Sequence, residues 1–255
     1  MILRRVIKHF RNQEWTAIFL DFIIVVVGVF VGLQVANWNE VRALKAQERG
    51  FLIQLRQEVR EIDRIREGQA RFTNRIIEGG RAALAFLDGG EDCIKDCEAL
   101  LIDFFHATQT WGNSFPMDKY REVDRLGFPT NEATRAAVQG LYQGVEAWGI
   151  VNQTPPVYRE RLRGHLTPDA SAALWGDCYS LREGMFEDLL FDCAADLQKL
   201  DTAAMLRAIR SDAALAGQLR YWLGQNIFAA QQFQSVRDAA AAAIAAITDD
   251  VGDEQ

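Results

Sequence analysis

From Trp15 to Trp38 the chain is almost wholly apolar, with an unbroken core from Phe22 to Leu33 and a tryptophan at each end. A helix rising ~1.5 Å per residue over this stretch crosses the ~30 Å hydrocarbon core of a bilayer, and indole rings favour the headgroup boundary. The pattern predicts a transmembrane helix over residues 15–38. A cleavable secretory signal would have a shorter core and a small-residue cleavage site. If Ala36 preceded the cut, Gln34 would sit where a small side chain is required, so an uncleaved anchor is the better reading. A buried helix of a soluble protein would carry the same core, but the tryptophan flanks and the basic leader favour the membrane.

No turn signal ends the span, so the helix is expected to run on through Asn37-Trp38-Asn39-Glu40. Stepping alternately by four and three gives Leu44, Glu48, Phe51, Leu55, Glu58, Ile62, Ile65, Gln69, Phe72, Ile76, Gly79, Ala83 and Phe86. Nine of these thirteen positions are apolar, a helical seam. Glu48, Glu58 and Gln69 interrupt it, and Gly50, Gly68, Gly79 and Gly80 weaken the helix locally. This reads as a stalk-like helix packed on its own domain rather than an uninterrupted coiled coil.

The run Asp88-Gly89-Gly90-Glu91-Asp92 breaks the chain. Further helices are expected over Glu98–Trp111, Asp118–Leu126 and Asn131–Trp148, the last entered through a Thr130 cap. Asn113–Pro116 and Asn152–Pro156 are connectors. Thr167-Pro168 reads as a cap and first-turn proline leading into a helix over Asp169–Leu200, followed by one over Thr202–Ser211. A last long helix starts at Asp212, with a stripe of Leu215, Leu219, Trp222, Phe233, Val236, Ala240, Ile244 and Ile247. The expected fold is all-α: an N-terminal transmembrane helix continuing into a long helix, then an irregular helical bundle. The domain occupies residues 39–248, and the acidic tail 249–255 should fray.

Charge orients the span. Arg4, Arg5, Lys8 and Arg11 precede it, opposed only by Glu14, so the leader 1–14 is expected to stay in the cytoplasm. Arg42, Lys45 and Arg49 on the far side are interleaved with Glu40 and Glu48. Ile2, Leu3, Val6, Ile7 and Phe10 fall at helical spacing opposite the basic residues, as in a short helix on an anionic leaflet; an unstructured basic tail gives the same topology. The chain carries 28 basic and 35 acidic side chains, and the basic leader leaves the rest still more acidic, which argues against a nucleic-acid partner.

The leader, Gln13-Glu14-Trp15-Thr16-Ala17, Asp21, the Val/Gly-rich core and Gln34-Val35-Ala36-Asn37-Trp38-Asn39-Glu40 together resemble the anchor of a large uncharacterised family of bacterial single-pass proteins. Gly50-Phe51-Leu52-Ile53-Gln54-Leu55 and Tyr120-Arg121-Glu122-Val123-Asp124-Arg125-Leu126-Gly127 are more weakly similar to it. The resemblance implies a bacterial inner-membrane protein with a helical extracytoplasmic domain, and it brings no activity and no catalytic residues.

Within the span, Asp21 is an ionisable group at a costly depth, satisfied by snorkelling or by pairing with a leader cation or a partner. Gly28 and Gly32 form G-x-x-x-G, and Ala36 extends the small-residue row that lets helix backbones approach closely. Glycine is common in spans, so the row also arises by chance; Asp21 and Gln34, which prefer protein to lipid, tip the reading toward lateral association. Cys93, Cys97, Cys178 and Cys193 all lie beyond the anchor, where an oxidising compartment makes disulfides the natural reading. Of three possible connectivities, Cys93–Cys97 with Cys178–Cys193 is preferred because each pair brackets a short segment. A metal site on Cys93, Cys97 and His106 is the rival, without a complete ligand set; the C-x-x-C of a redox catalyst is absent. His9, His106 and His165 are isolated, and no nucleophile elbow, P-loop, dinucleotide fingerprint or zincin motif occurs. No cofactor is expected.

These observations favour a non-enzymatic accessory or scaffolding protein, held in the bilayer and acting through its span and helical surfaces on a second copy or another membrane protein. The alternative is a periplasmic ligand-sensing module, which would signal through a partner because the leader is too short for an output domain. An enzyme with an unfamiliar site is the third reading.

Overall fold

In the computed structural model, the apolar stretch and the seam that follows it form one helix, α1 (Trp15–Gly89). The structure describes residues 15–112, 114–151, 156–184, 186–190, 192–193 and 195–252; the basic leader, with the short helix expected there, lies outside them. After α1 come α2 (Cys97–Ala107), α3 (Asp118–Arg125), α4 (Glu132–Val151), α5 (Val157–Arg163) and α6 (Pro168–Asp177). A two-stranded hairpin of β1 (Tyr179–Arg182) and β2 (Phe186–Leu189) follows, and α7 (Thr202–Ser211) and α8 (Ala213–Val251) complete the chain. One hairpin in an otherwise helical chain leaves the fold class all-α. The chain divides into two compact units, one up to Phe51 and one from Leu52 onward.

The second unit is built on the seam of α1. Every seam position from Leu55 to Ala83 is buried, polar and glycine positions included. Of the four glycines read as local weaknesses, Gly79 and Gly80 are sites of close approach, whereas Gly50 has nothing within 4 Å and Gly68 only ordinary contacts. A methyl group at Gly79 would lie 2.8 Å from the Asp103 carbonyl oxygen of α2, and one at Gly80 would strike Leu223 of α8. Their packing use outweighs the helix propensity they sacrifice, ~1 kcal/mol each. The main core joins Ala83 to Leu101, Phe104 and Phe105 of α2, Tyr158 and Leu162 of α5, Leu174 of α6, Leu206 and Ile209 of α7, and Leu215 and Leu219 of α8. A smaller core gathers Ile65, Phe72, Ile76, Trp111 and Leu189. The expected stripe of α8 faces inward, with Asn226 filling its gap between Trp222 and Phe233.

Four expectations are corrected. The helix over Asp169–Leu200 ends at Asp177, and the hairpin takes its place: Glu183 and Gly184 both adopt positive φ, the backbone of a tight reversal. The helix begun near Glu98 stops at Ala107, where the Thr108 hydroxyl donates to the Phe105 carbonyl at 2.7 Å, and Trp111 turns into the smaller core. The cap before α4 is Asn131 rather than Thr130, its side-chain oxygen accepting from the Ala133 N–H at 3.0 Å. The acidic tail begins later than expected, because α8 runs through Asp249 and Asp250 to Val251, which is buried. Of that tail, residues 253–255 lie outside the described part, as does most of the connector before Pro156.

Candidate functional site

Two parts of α1 carry the candidate chemistry. In the first, α1 is long and apolar enough to cross a membrane, and none of its most apolar window is buried within the chain. Phe19, Phe22, Ile24, Phe30 and Leu33 are each at least 60 % exposed. A contiguous apolar surface of this kind on a water-soluble protein would be a strong aggregation hazard, whereas in lipid it costs nothing. At the C-terminal end of the apolar stretch the Arg42 guanidinium lies over the exposed Trp38 ring, 5.6 Å from its centre.

Helical geometry sorts the association candidates. At about 100° per residue, Asp21 lies about 20° and Gly32 about 40° to the same side of Gly28, so the three share one face, with Ala36, about 80° round, at its edge. Gln34 falls about 120° away from Gly28 and does not belong to that face. Among the described residues a methyl group placed on Gly28 or Gly32 meets nothing within 4 Å, and all five candidates are exposed. The leader cations proposed as partners of Asp21 lie outside the described residues.

The cysteines form Cys93–Cys97, which ties the preceding loop to the first residue of α2, and Cys178–Cys193, which ties the two ends of the hairpin. His106 lies beside the second bridge, not the first; its ring nitrogen and the two sulfurs of Cys178 and Cys193 fall within 4.8 Å of one another. The rival ligand set of Cys93, Cys97 and His106 is therefore not assembled. The reason is hydrogen bonding from elsewhere in the fold. Arg75 Nε donates to His106 Nδ1 at 2.9 Å, which leaves the ring proton on Nε2 to meet the Cys178 carbonyl at 3.2 Å. Burial, reinforced by the Arg75 charge, lowers the His106 pKa to about 4, so the ring is neutral at physiological pH. Arg75 is itself anchored on Asp103 at 3.0 Å. His106 thus bridges α1, α2 and the hairpin with both ring nitrogens engaged.

Sequence reading also passed over Glu58, treating it as a break in the seam. Helix α3 has Met117 at its N-cap, a side chain that makes no capping bond. Glu58 supplies the missing acceptor from α1: its carboxylate receives the backbone N–H groups of Lys119 at 2.8 Å and Tyr120 at 3.0 Å. It also receives the Tyr142 hydroxyl at 2.6 Å. The Tyr142 ring stacks on Tyr120 at 4.0 Å, so one buried carboxylate fixes α3 and α4 against α1. Eight residues on, Arg66 is fully buried. It donates to Gln69 Oε1 at 2.7 Å, and its guanidinium lies 4.4 Å from the Phe115 ring and 5.7 Å from that of Phe233. Burial lowers its pKa to about 10, which still leaves it charged at neutral pH. A seam residue that is polar and also periodic is the one signal that marks Glu58 and Gln69 as internal.

No protein-family model, curated protein or solved structure matches the chain.

Proposed function

We propose that this protein is a membrane-anchored accessory or scaffolding subunit that associates with a second membrane helix through the Asp21–Gly28–Gly32 face of its span. The leader lies in the cytoplasm and the helical domain in the periplasm of a bacterial inner membrane. One observation carries the reading: the small residues of the span leave open space above a fully exposed apolar face, while a carboxylate shares the same side. In lipid, apolar side chains alone give little reason for helices to associate, so close backbone approach and a polar contact are the features that select a partner. The basic leader supports the orientation, and the paired cysteines support an oxidising compartment.

Purification in a mild detergent followed by native mass spectrometry tests the association. The expected result is a dimer of this chain or a stoichiometric membrane partner. A monomer without companions across detergents would overturn it. Protease added to spheroplasts should digest the domain and spare the leader, and complete protection of the domain would reverse the orientation.

A further inference from the structure

Helix α5 carries arginines at every second position: Arg159, Arg161 and Arg163. Arg161 is neutralised by Asp212 at 2.6 Å. The other two, one turn apart, point instead at the segment after α2. Arg159 donates to the Thr110 hydroxyl at 2.5 Å, and Arg163 Nε donates to the Thr108 hydroxyl at 3.1 Å. Neither forms an ion pair among the described residues, and Arg163 Nη2 is buried without a hydrogen-bond partner there. Arg163 also lies 4.9 Å from the Trp175 ring, which is 37 % exposed, so this edge of the cluster is open to solvent.

The nearby carboxylate is already committed. Glu187, whose charge Arg159 feels, is buried and accepts the Gly112 N–H at 2.8 Å. Tyr179 donates to it as well; burial and the Glu187 charge push that phenol up to about 12, so the proton stays on Tyr179. Burial and the like charge of Arg159 bring Arg163 down to about 10, and it remains a cation at neutral pH. Arg159 has the Glu187 charge nearby, but Arg163 has no ion pair among the described residues and feels only the like charge of Arg159, and a half-buried guanidinium in that position is costly to hold unless an anion completes it. The Thr108 hydroxyl is spent on the Phe105 carbonyl, but the Thr110 hydroxyl accepts from Arg159 and keeps its proton to give.

We infer that Arg159, Arg163 and the Thr110 hydroxyl, beside the exposed face of Trp175, form a binding site for a small-molecule oxyanion, a carboxylate or phosphate group held by the charge and remaining N–H groups of the two guanidinium groups. Planar, multiply donating guanidinium groups suit either oxyanion, and the adjacent indole offers an apolar wall for the body of the molecule. The site is independent of the span and of the association proposed for it. It would give the domain a ligand to sense.

The test is calorimetric titration and thermal melting of the full-length protein in detergent with sodium phosphate, acetate and benzoate, each at constant ionic strength made up with sodium chloride. A saturable heat, with a melting temperature that climbs with concentration, is expected for at least one oxyanion and not for chloride. A response to phosphate alone assigns a phosphate ligand, and one to acetate or benzoate assigns a carboxylate. Arg163→Gln should weaken binding by about tenfold or more, and Arg163→Lys, which keeps the charge but loses the fork, should fall between. If Arg163→Gln does not fold, Arg159→Gln gives the same reading from the more exposed guanidinium. No saturable response in the unaltered protein would overturn the inference, and so would an undiminished response in the folded arginine variants.

Discussion

The two stretches of α1 use the same residue types to opposite ends. In the packed stretch, Gly79 and Gly80 lie against α2 and α8, and the acidic residue Glu58 holds three donors from α3 and α4. In the apolar stretch, Gly28 and Gly32 have open space above them, and Asp21 has no hydrogen-bond or ion partner among the described residues. A helix that needs glycine for close approach and a carboxylate for a specific contact shows, in its packed stretch, what such residues do when a partner is present. The same pair of features is exposed in the apolar stretch, and the proposed association rests on that contrast.

The largest effect that this comparison predicts comes from Glu58→Ala. It leaves two backbone N–H groups and the Tyr142 hydroxyl without their acceptor and removes the cap of α3, which should cost about 3–5 kcal/mol in chemical denaturation. Glu58→Gln, which keeps one acceptor oxygen, should cost less. If both were neutral, the carboxylate would not be what fixes α3 and α4, and the comparison would lose its packed example.

Gly79→Ala comes next. The clash is with the backbone of Asp103, which cannot rotate away, so the loss from overpacking should exceed the ~1 kcal/mol of helix propensity gained, for a net destabilisation of about 2 kcal/mol. At Gly80 the obstacle is the end of the Leu223 side chain, which can swing, and Gly80→Ala should be milder. Equal melting temperatures for the two variants would show that the backbone contact is no tighter than the side-chain one.

Much of this was legible beforehand, and the misses have physical causes. The period of the seam placed its residues inward because a helix face is a local property, set by 3.6-residue repetition alone. What Glu58 and Gly79 are for depended on contacts with residues far along the chain, Tyr142 and Asp103, which no local pattern reveals. The hairpin was different, since the sequence held a contradiction. A helix through Asp169–Leu200 separates positions 178 and 193 by about 22 Å, yet a disulfide requires Cα atoms within about 7 Å. Pairing Cys178 with Cys193, whose Cα atoms are 4.9 Å apart, demands a reversal between them, and Glu183-Gly184 was the place for it. The arginine pair of α5 was missed because the helix itself was not anticipated; seven residues rich in arginine carry too little apolar periodicity to announce it.

The packed stretch is also sensitive to pH, through His106. Its pKa of about 4 in the folded state lies below the ~6.5 of an unfolded chain, so on acidification the unfolded state takes up the proton first. The contribution is whole above pH ~6.5 and is lost progressively as the pH falls toward 4. Between pH 7 and 5 the domain should lose about 2 kcal/mol of stability from this residue. Denaturant melts at the two pH values measure it, with His106→Gln as the reference that lacks this contribution. An identical slope in the variant would assign the acid sensitivity elsewhere.

The smallest effect on stability is predicted for the apolar stretch, and there the absence of a change is informative. Gly28→Leu with Gly32→Leu adds bulk where none of the described residues stands within 4 Å, so domain melting should be unaltered. If the face is used as proposed, the same variant should lose its dimer or its companion in native mass spectrometry, because the backbones can no longer approach closely. Gln34→Leu, about 120° around the helix from Gly28, serves as the control and should leave association intact. Asp21→Asn separates the two components of the face: loss of the partner would identify a charge pair, and retention would leave the glycines as the main determinant. Association that survives both leucines would mean that the span is an anchor alone, and that any interaction of this protein runs through the domain.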